Sequence, residues 1–133
     1  MSEEKKIKVV LLEPGKLART AEIGTSIEDL QNAVDGLIEP FYPFEEQVCI
    51  VCNDEGKING MLPNRSVKNK DGVMVDFIFG PAFICDCRGE SFDSLSDEQL
   101  ARYTKMFRYP EHLARLNGKL IGIPFNPQRE HER

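Results

Sequence analysis

VCIVCNDEGKINGMLPNRSV, residues 48–67, is the stretch on which the fold turns. Val48-Cys49-Ile50-Val51-Cys52 is short, apolar and rich in β-branched residues, the composition of a strand buried on both faces. Asn53 to Lys57 reads as a turn, because Asn and Asp side chains bond their own backbone and Gly56 offers a positive φ. Ile58 to Leu62 is expected to return as the second strand of a hairpin, with Gly60 at a bulge or a close backbone approach. Pro63 biases Leu62 to an extended shape and presents Asn64-Arg65 at its end. A planar guanidinium beside an amide suits recognition of a carboxylate or phosphate. The structural reading ranks first, however: Arg65 pairs with a local carboxylate and Asn64 closes a turn.

Upstream, Ile7 to Glu13 is a strand candidate, Pro14-Gly15 turns the chain, and Lys16 to Ile23 returns, which makes a hairpin. A helix follows. Thr25 and Glu28 have capping-box spacing, Ile27, Leu30 and Val34 form one apolar stripe, and Gly36 stands where a left-handed C-cap falls. Leu37 to Tyr42 is extended, with Pro40 confined to an edge or bulge because it cannot donate to a ladder.

Downstream, Asn69 to Gly72 is a polar turn, and Val73 to Cys87 is two strands or one kinked at Gly80-Pro81. Asp76 interrupts that apolar run; it faces solvent or a backbone partner, or burial raises its pKa. Ser96 and Gln99 form a capping box flanked by the Leu95–Leu100 staple, and Leu100, Tyr103 and Phe107 face inward up to Tyr109-Pro110. Pro110 is expected to open a third helix through Leu116, stopped by Asn117-Gly118, before a last strand at Leu120 to Ile123. The expected fold is α+β: a mixed β-sheet packed by two or three helices, one domain over residues 1–125, with a polar, disordered tail over 126–133.

Composition narrows the function. Seventeen basic against 22 acidic residues give a net charge of −5, which argues against direct nucleic-acid binding, since that needs a basic stripe. No apolar run approaches the ~18 residues of a membrane span. MSEEKK has no apolar signal core, so the expected location is the cytoplasm. Cys49-x-x-Cys52 and Cys85-x-Cys87 suggest a zinc site at first glance. Residues three apart on a strand diverge, however, so the four are read as free thiols, with no metal and no cofactor assigned. His112 and His131 sit far from any Ser or Cys signal, and no P-loop, GxGxxG or HExxH occurs, so no catalytic residue is assigned.

Two resemblances add to this. Residues 7–42 are similar to the opening of a ubiquitin-like β-grasp: hairpin, T-S-I-E-D-L helix, strand. The wider one rests on Glu13-Pro14-Gly15-Lys16, Gly36 to Pro40, Val51 to Lys57, Pro63-Asn64-Arg65, Gly80 to Ile84 and the helix from Leu95 to Pro110. Through these the chain resembles the bacterial family called domain of unknown function 3846, carried by phages, conjugative plasmids and integrated elements. The resemblance implies an accessory protein of a mobile element and no particular activity.

The expected function is a non-enzymatic module that binds an as yet unidentified protein through a groove or sheet edge. The alternative is a small-ligand protein or enzyme built on Asn53, Lys57, Asn64, Arg65 and Asp76, where Lys57 and Arg65 hold an anion and Asp76 is a base. A third reading, an acidic DNA mimic acting against restriction, ranks below both.

Overall fold

The computed structural model describes residues 5–130. Its centre is a five-stranded sheet ordered β2-β1-β7-β4-β3, from β1 (Lys6–Leu12), β2 (Arg19–Gly24), β3 (Ile38–Phe41), β4 (Val48–Asn53) and β7 (Ala82–Asp86). Every pairing in it is antiparallel, so the expected mixed sheet is corrected to an antiparallel one. The two most apolar runs lie next to each other inside the sheet, where both faces are covered: Ile50 opposes Ile84 and Val51 opposes Phe83. Pro40 sits on the outermost strand, where its missing N–H costs no ladder bond.

Alternation along β1 sorts the core into two layers. Ile7 and Val9 point to one face, with Cys49, Val51, Phe83 and Cys85, and are covered by α1 (Ile27–Val34) through Leu30 and Val34. Val10 and Leu12 point to the other, with Ile50 and Ile84, and meet Leu100, Tyr103 and Phe107 of α2 (Asp97–Met106) and its C-cap. The second layer also holds Val67 and Ile78, which come from a separate two-stranded ribbon, β5 (Pro63–Lys68) and β6 (Met74–Phe79). A third sheet is the hairpin β8 (Glu111–Leu116) and β9 (Lys119–Pro124). One helical turn, α3 (Pro127–Glu130), stands within the expected tail; His131 lies outside the described residues.

Several local expectations are met and several shift. The Ser96/Gln99 box is made in both directions. In α1 the cap is one residue later than expected: Ser26 accepts from the Asp29 amide, and Asp35, not Gly36, takes the left-handed conformation at φ 59°. Gly36 is needed for space instead, because a Cβ there would lie 2.6 Å from Asn53 Nδ2. Ile58 to Leu62 is a solvent-facing turn rather than a strand, with Ile58 84% exposed; β5 begins only at Pro63 and pairs with β6, not with β4. Glu111–Leu116 is a strand, not a third helix. Asn117-Gly118 supplies two successive positive φ values, 50° and 79°, which make a tight hairpin turn rather than a helix stop.

A binding cavity between helix α2 and the β5–β6 ribbon

The residues marked out by sequence fall into two separate places. Asn64 and Arg65 are both fully enclosed on β5. All five N–H groups of Arg65 are engaged within the protein. Nε donates to Phe107 O (2.6 Å), Nη1 to Glu13 O (3.2 Å) and Asn64 Oδ1 (2.6 Å), and Nη2 to Lys16 O (2.6 Å) and Arg108 O (3.3 Å). The partners are neutral oxygens, neither the local carboxylate nor the external anion expected. Burial draws the guanidinium down to about 10, still charged at neutral pH. The Asn64 amide donates to Leu12 O and Gly80 O at 2.8 Å each. Together the two side chains tie the β1–β2 turn, the ribbon and the C-terminal end of α2 into one knot, with the cation placed at the negative end of the helix. No N–H of Arg65 is left over for a ligand.

Asn53, Lys57 and Asp76 are brought together, around a smaller cavity of about 220 Å3. Asn53 caps α1: its amide donates to Val34 O and Asp35 O, and its Oδ1 accepts from the Glu55 amide. Lys57 Nζ meets Asp76 Oδ1 at 3.1 Å, and that oxygen also accepts from the Phe77 amide. Glu39 and Asp54 add acid here. The bond to Asp54, then burial, raise the Glu39 carboxyl, and burial backed by these acids pushes the Cys52 thiol up to about 11. The surroundings repel an anion. No hydrogen bond links Asp76 to Arg65 among the described residues.

The four cysteines are free thiols. Cys49 and Cys52 occupy opposite faces of β4, as residues three apart on a strand must. Cys49 lies across from Cys85 with the sulfurs 3.8 Å apart, and Cys52 donates to Glu39 O.

A larger cavity, about 630 Å3, opens between α2, the loop before β4 and the inner side of β5. One wall is apolar: Phe44, Tyr103, Met106 and Phe107, with the Phe44 ring 4.8 Å from Tyr103 and 6.2 Å from Phe107. Glu46 crosses the wall. It accepts from the Tyr103 hydroxyl and from Arg102 Nη1 (2.8 Å), with the Gln99 amide at 3.4 Å. The Tyr103 bond, then that of Arg102, hold the Glu46 carboxyl below its ordinary value. Burial and the same bond push the Tyr103 hydroxyl up. The far side is closed by Glu111 of β8, whose Oε1 accepts from the Ser66 hydroxyl (2.6 Å) and amide (3.0 Å). Gly122 makes room for that carboxylate, since a Cβ there would stand 1.9 Å from Glu111 Oε1.

Sequence reasoning placed Tyr103 inward but missed Glu46, Ser66 and Glu111. The one available signal was Gly122, a glycine inside a strand, which marks a close approach. The cavity's apolar wall with a few fixed polar groups is the make-up of a binding site.

No curated protein and no solved structure matches the chain. Residues 7–108, well over half of the 133, match the family described as Domain of unknown function (DUF3846). That span carries α2, the ribbon and the loop bearing Glu46, and it ends before the hairpin bearing Glu111. On that match, the chain belongs to the DUF3846 family.

Proposed function

We propose that the chain is a non-enzymatic binding module that holds a short segment of a partner protein in the cavity between α2 and the β5–β6 ribbon. The observation that carries this reading is the state of the cavity's polar groups. Glu46, Arg102 and Tyr103 are locked onto one another, and Glu111 is locked onto Ser66. Groups held this way position a ligand well and are poorly placed to shuttle protons or attack a bond. The volume, about 630 Å3, lies inside the range of about 300–1,000 Å3 typical of ligand sites. A net charge of −5 favours a protein over a nucleic acid as the occupant. The mobile-element setting implied by the family resemblance and the cytoplasmic location expected from the sequence belong to the same proposal; no described helix is long and apolar enough to cross a membrane.

The small-ligand alternative rests on Asn53, Lys57 and Asp76 sharing the smaller cavity. It ranks second, because Lys57 is already spent on Asp76.

Photo-crosslinking tests the two sites side by side. A benzophenone amino acid replaces Met106, exposed at the larger cavity, or Ile58, exposed at the smaller one. The proposal expects one dominant cross-linked protein from Met106, lost when Phe44→Glu blocks the wall, and none from Ile58. Cross-linking from Ile58 alone, or from neither position, overturns it.

A further inference from the structure

Pairing off the charges around the larger cavity leaves Lys68 without an ion pair, and Glu111, whose charge also faces the buried Arg65, with one oxygen unused. Glu45 is matched by Lys70 at 3.5 Å, and Glu46 by Arg102 at 2.8 Å. Glu111 uses one carboxylate oxygen on Ser66. Among the described residues its Oε2 has no hydrogen-bond partner and Lys68 has no ion pair, yet both residues line the cavity. Lys68 ends β5, two residues beyond Ser66 on the same strand. A carboxylate therefore stands at the Ser66 end and an ammonium at the turn end, with the apolar wall of Phe44, Met106 and Phe107 alongside. Regular strand residues advance about 3.3 Å each, and the register shift between Val67 and Lys68 shortens that advance, so the two ends stand at most about two residues of an extended ligand apart.

We infer that the occupant is a peptide segment carrying an apolar side chain flanked by one basic and one acidic group, the basic group meeting Glu111 and the acidic group meeting Lys68. This rests on the binding reading above and supplies the chemistry of the partner segment. An apolar anchor seated against aromatic rings provides most of the affinity, while the two charges set direction and selectivity. Glu111 lies on the β8–β9 hairpin, beyond the matched family span of residues 7–108.

The test uses blocked synthetic peptides and isothermal titration calorimetry on the full chain. The panel holds Lys-Phe-Glu and its reverse, the neutral Gln-Phe-Gln, and the two singly charged forms. The doubly charged peptide, in one of its two directions, is expected to bind about tenfold more tightly than the neutral one. Lys68→Met should erase the contribution of the acidic group only, and Glu111→Gln that of the basic group only; Gln retains an oxygen for Ser66, which preserves the hairpin contact. Equal binding of neutral and charged peptides overturns the charge assignment while leaving the cavity as the binding site. Binding by none of the peptides overturns it too, and the Met106 cross-linking then decides separately whether the cavity binds anything.

Discussion

Replacing Arg65 with methionine removes the most heavily bonded side chain described in the protein while keeping much of its apolar volume. Five hydrogen bonds disappear. Three of them end on carbonyls near the surface, those of Glu13, Lys16 and Arg108, which recover water in the variant. The other two end on Phe107 O and Asn64 Oδ1, where the bonds are buried and water has no access. Each stranded buried acceptor costs about 1–3 kcal/mol. Against this, the variant escapes the burial of a cation, the same burial that lowers its pKa and that the charges of Glu111 and Glu13 offset only in part. The net loss is about 3 kcal/mol, a large share of the roughly 5–15 kcal/mol that holds a domain together. For a chain of this length that corresponds to a melting point lower by about 10 °C. Arg65→Lys should lie close to Met rather than to wild type, because one ammonium with three donors cannot span five acceptors. Urea unfolding followed by circular dichroism gives the midpoints, with an unchanged slope confirming the same folded state. If Arg65→Lys unfolds within about 0.5 kcal/mol of wild type, the fork geometry carries no weight and the reading of Arg65 as the knot of the fold is wrong.

Three other perturbations follow from the same contacts. Glu46→Gln should destabilise most near neutrality: the folded carboxyl titrates below its ordinary 4.5, so its stabilisation is full above that value and is lost as pH falls through the folded pKa. Urea midpoints of the two proteins should therefore converge between about pH 7 and about pH 3, and a constant gap contradicts the assignment. Gly122→Ala should drive the Glu111 carboxylate off Ser66 at a cost of about 1–2 kcal/mol, and adding Glu111→Ala should cost little more; full additivity in that double-mutant cycle counts against the contact. Asn53→Ala should cost about 1–2 kcal/mol by uncapping the end of α1, with hydrogen exchange quickening first in Ile27–Val34; unchanged protection there rules the cap out.

What the sequence made legible was whatever is decided locally. The runs at Val48–Cys52 and Ala82–Cys85 are buried strands because nothing polar interrupts them, and Ser96 to Gln99 closes its box within one turn of helix. The Glu111–Leu116 segment went astray because Glu, Leu, Ala and Arg favour helix, while the Asn117-Gly118 turn and packing against β5 select a strand. Ile58 to Leu62 carries strand-like residues, but β4 already has β3 and β7 on its two edges and offers no third. Asn64 and Arg65 stood out correctly as deliberate residues, yet their type does not reveal their partners. The Arg65 bond to Phe107 spans 42 positions and its bond to Glu13 spans 52. The cavity was hidden for the same reason, since Ser66 and Glu111 are 45 positions apart. Only folding brings them together.

The most direct test of the account is chemical-shift mapping of the isotopically labelled chain during titration with the segment captured at Met106. The signals of Phe44, Tyr103, Phe107 and the Met106 methyl should move together while those of Asn53, Lys57 and Asp76 stay still. Shifts gathered around Asn53 and Asp76, with the Met106 methyl unmoved, would contradict it and transfer the function to the smaller, acidic cavity.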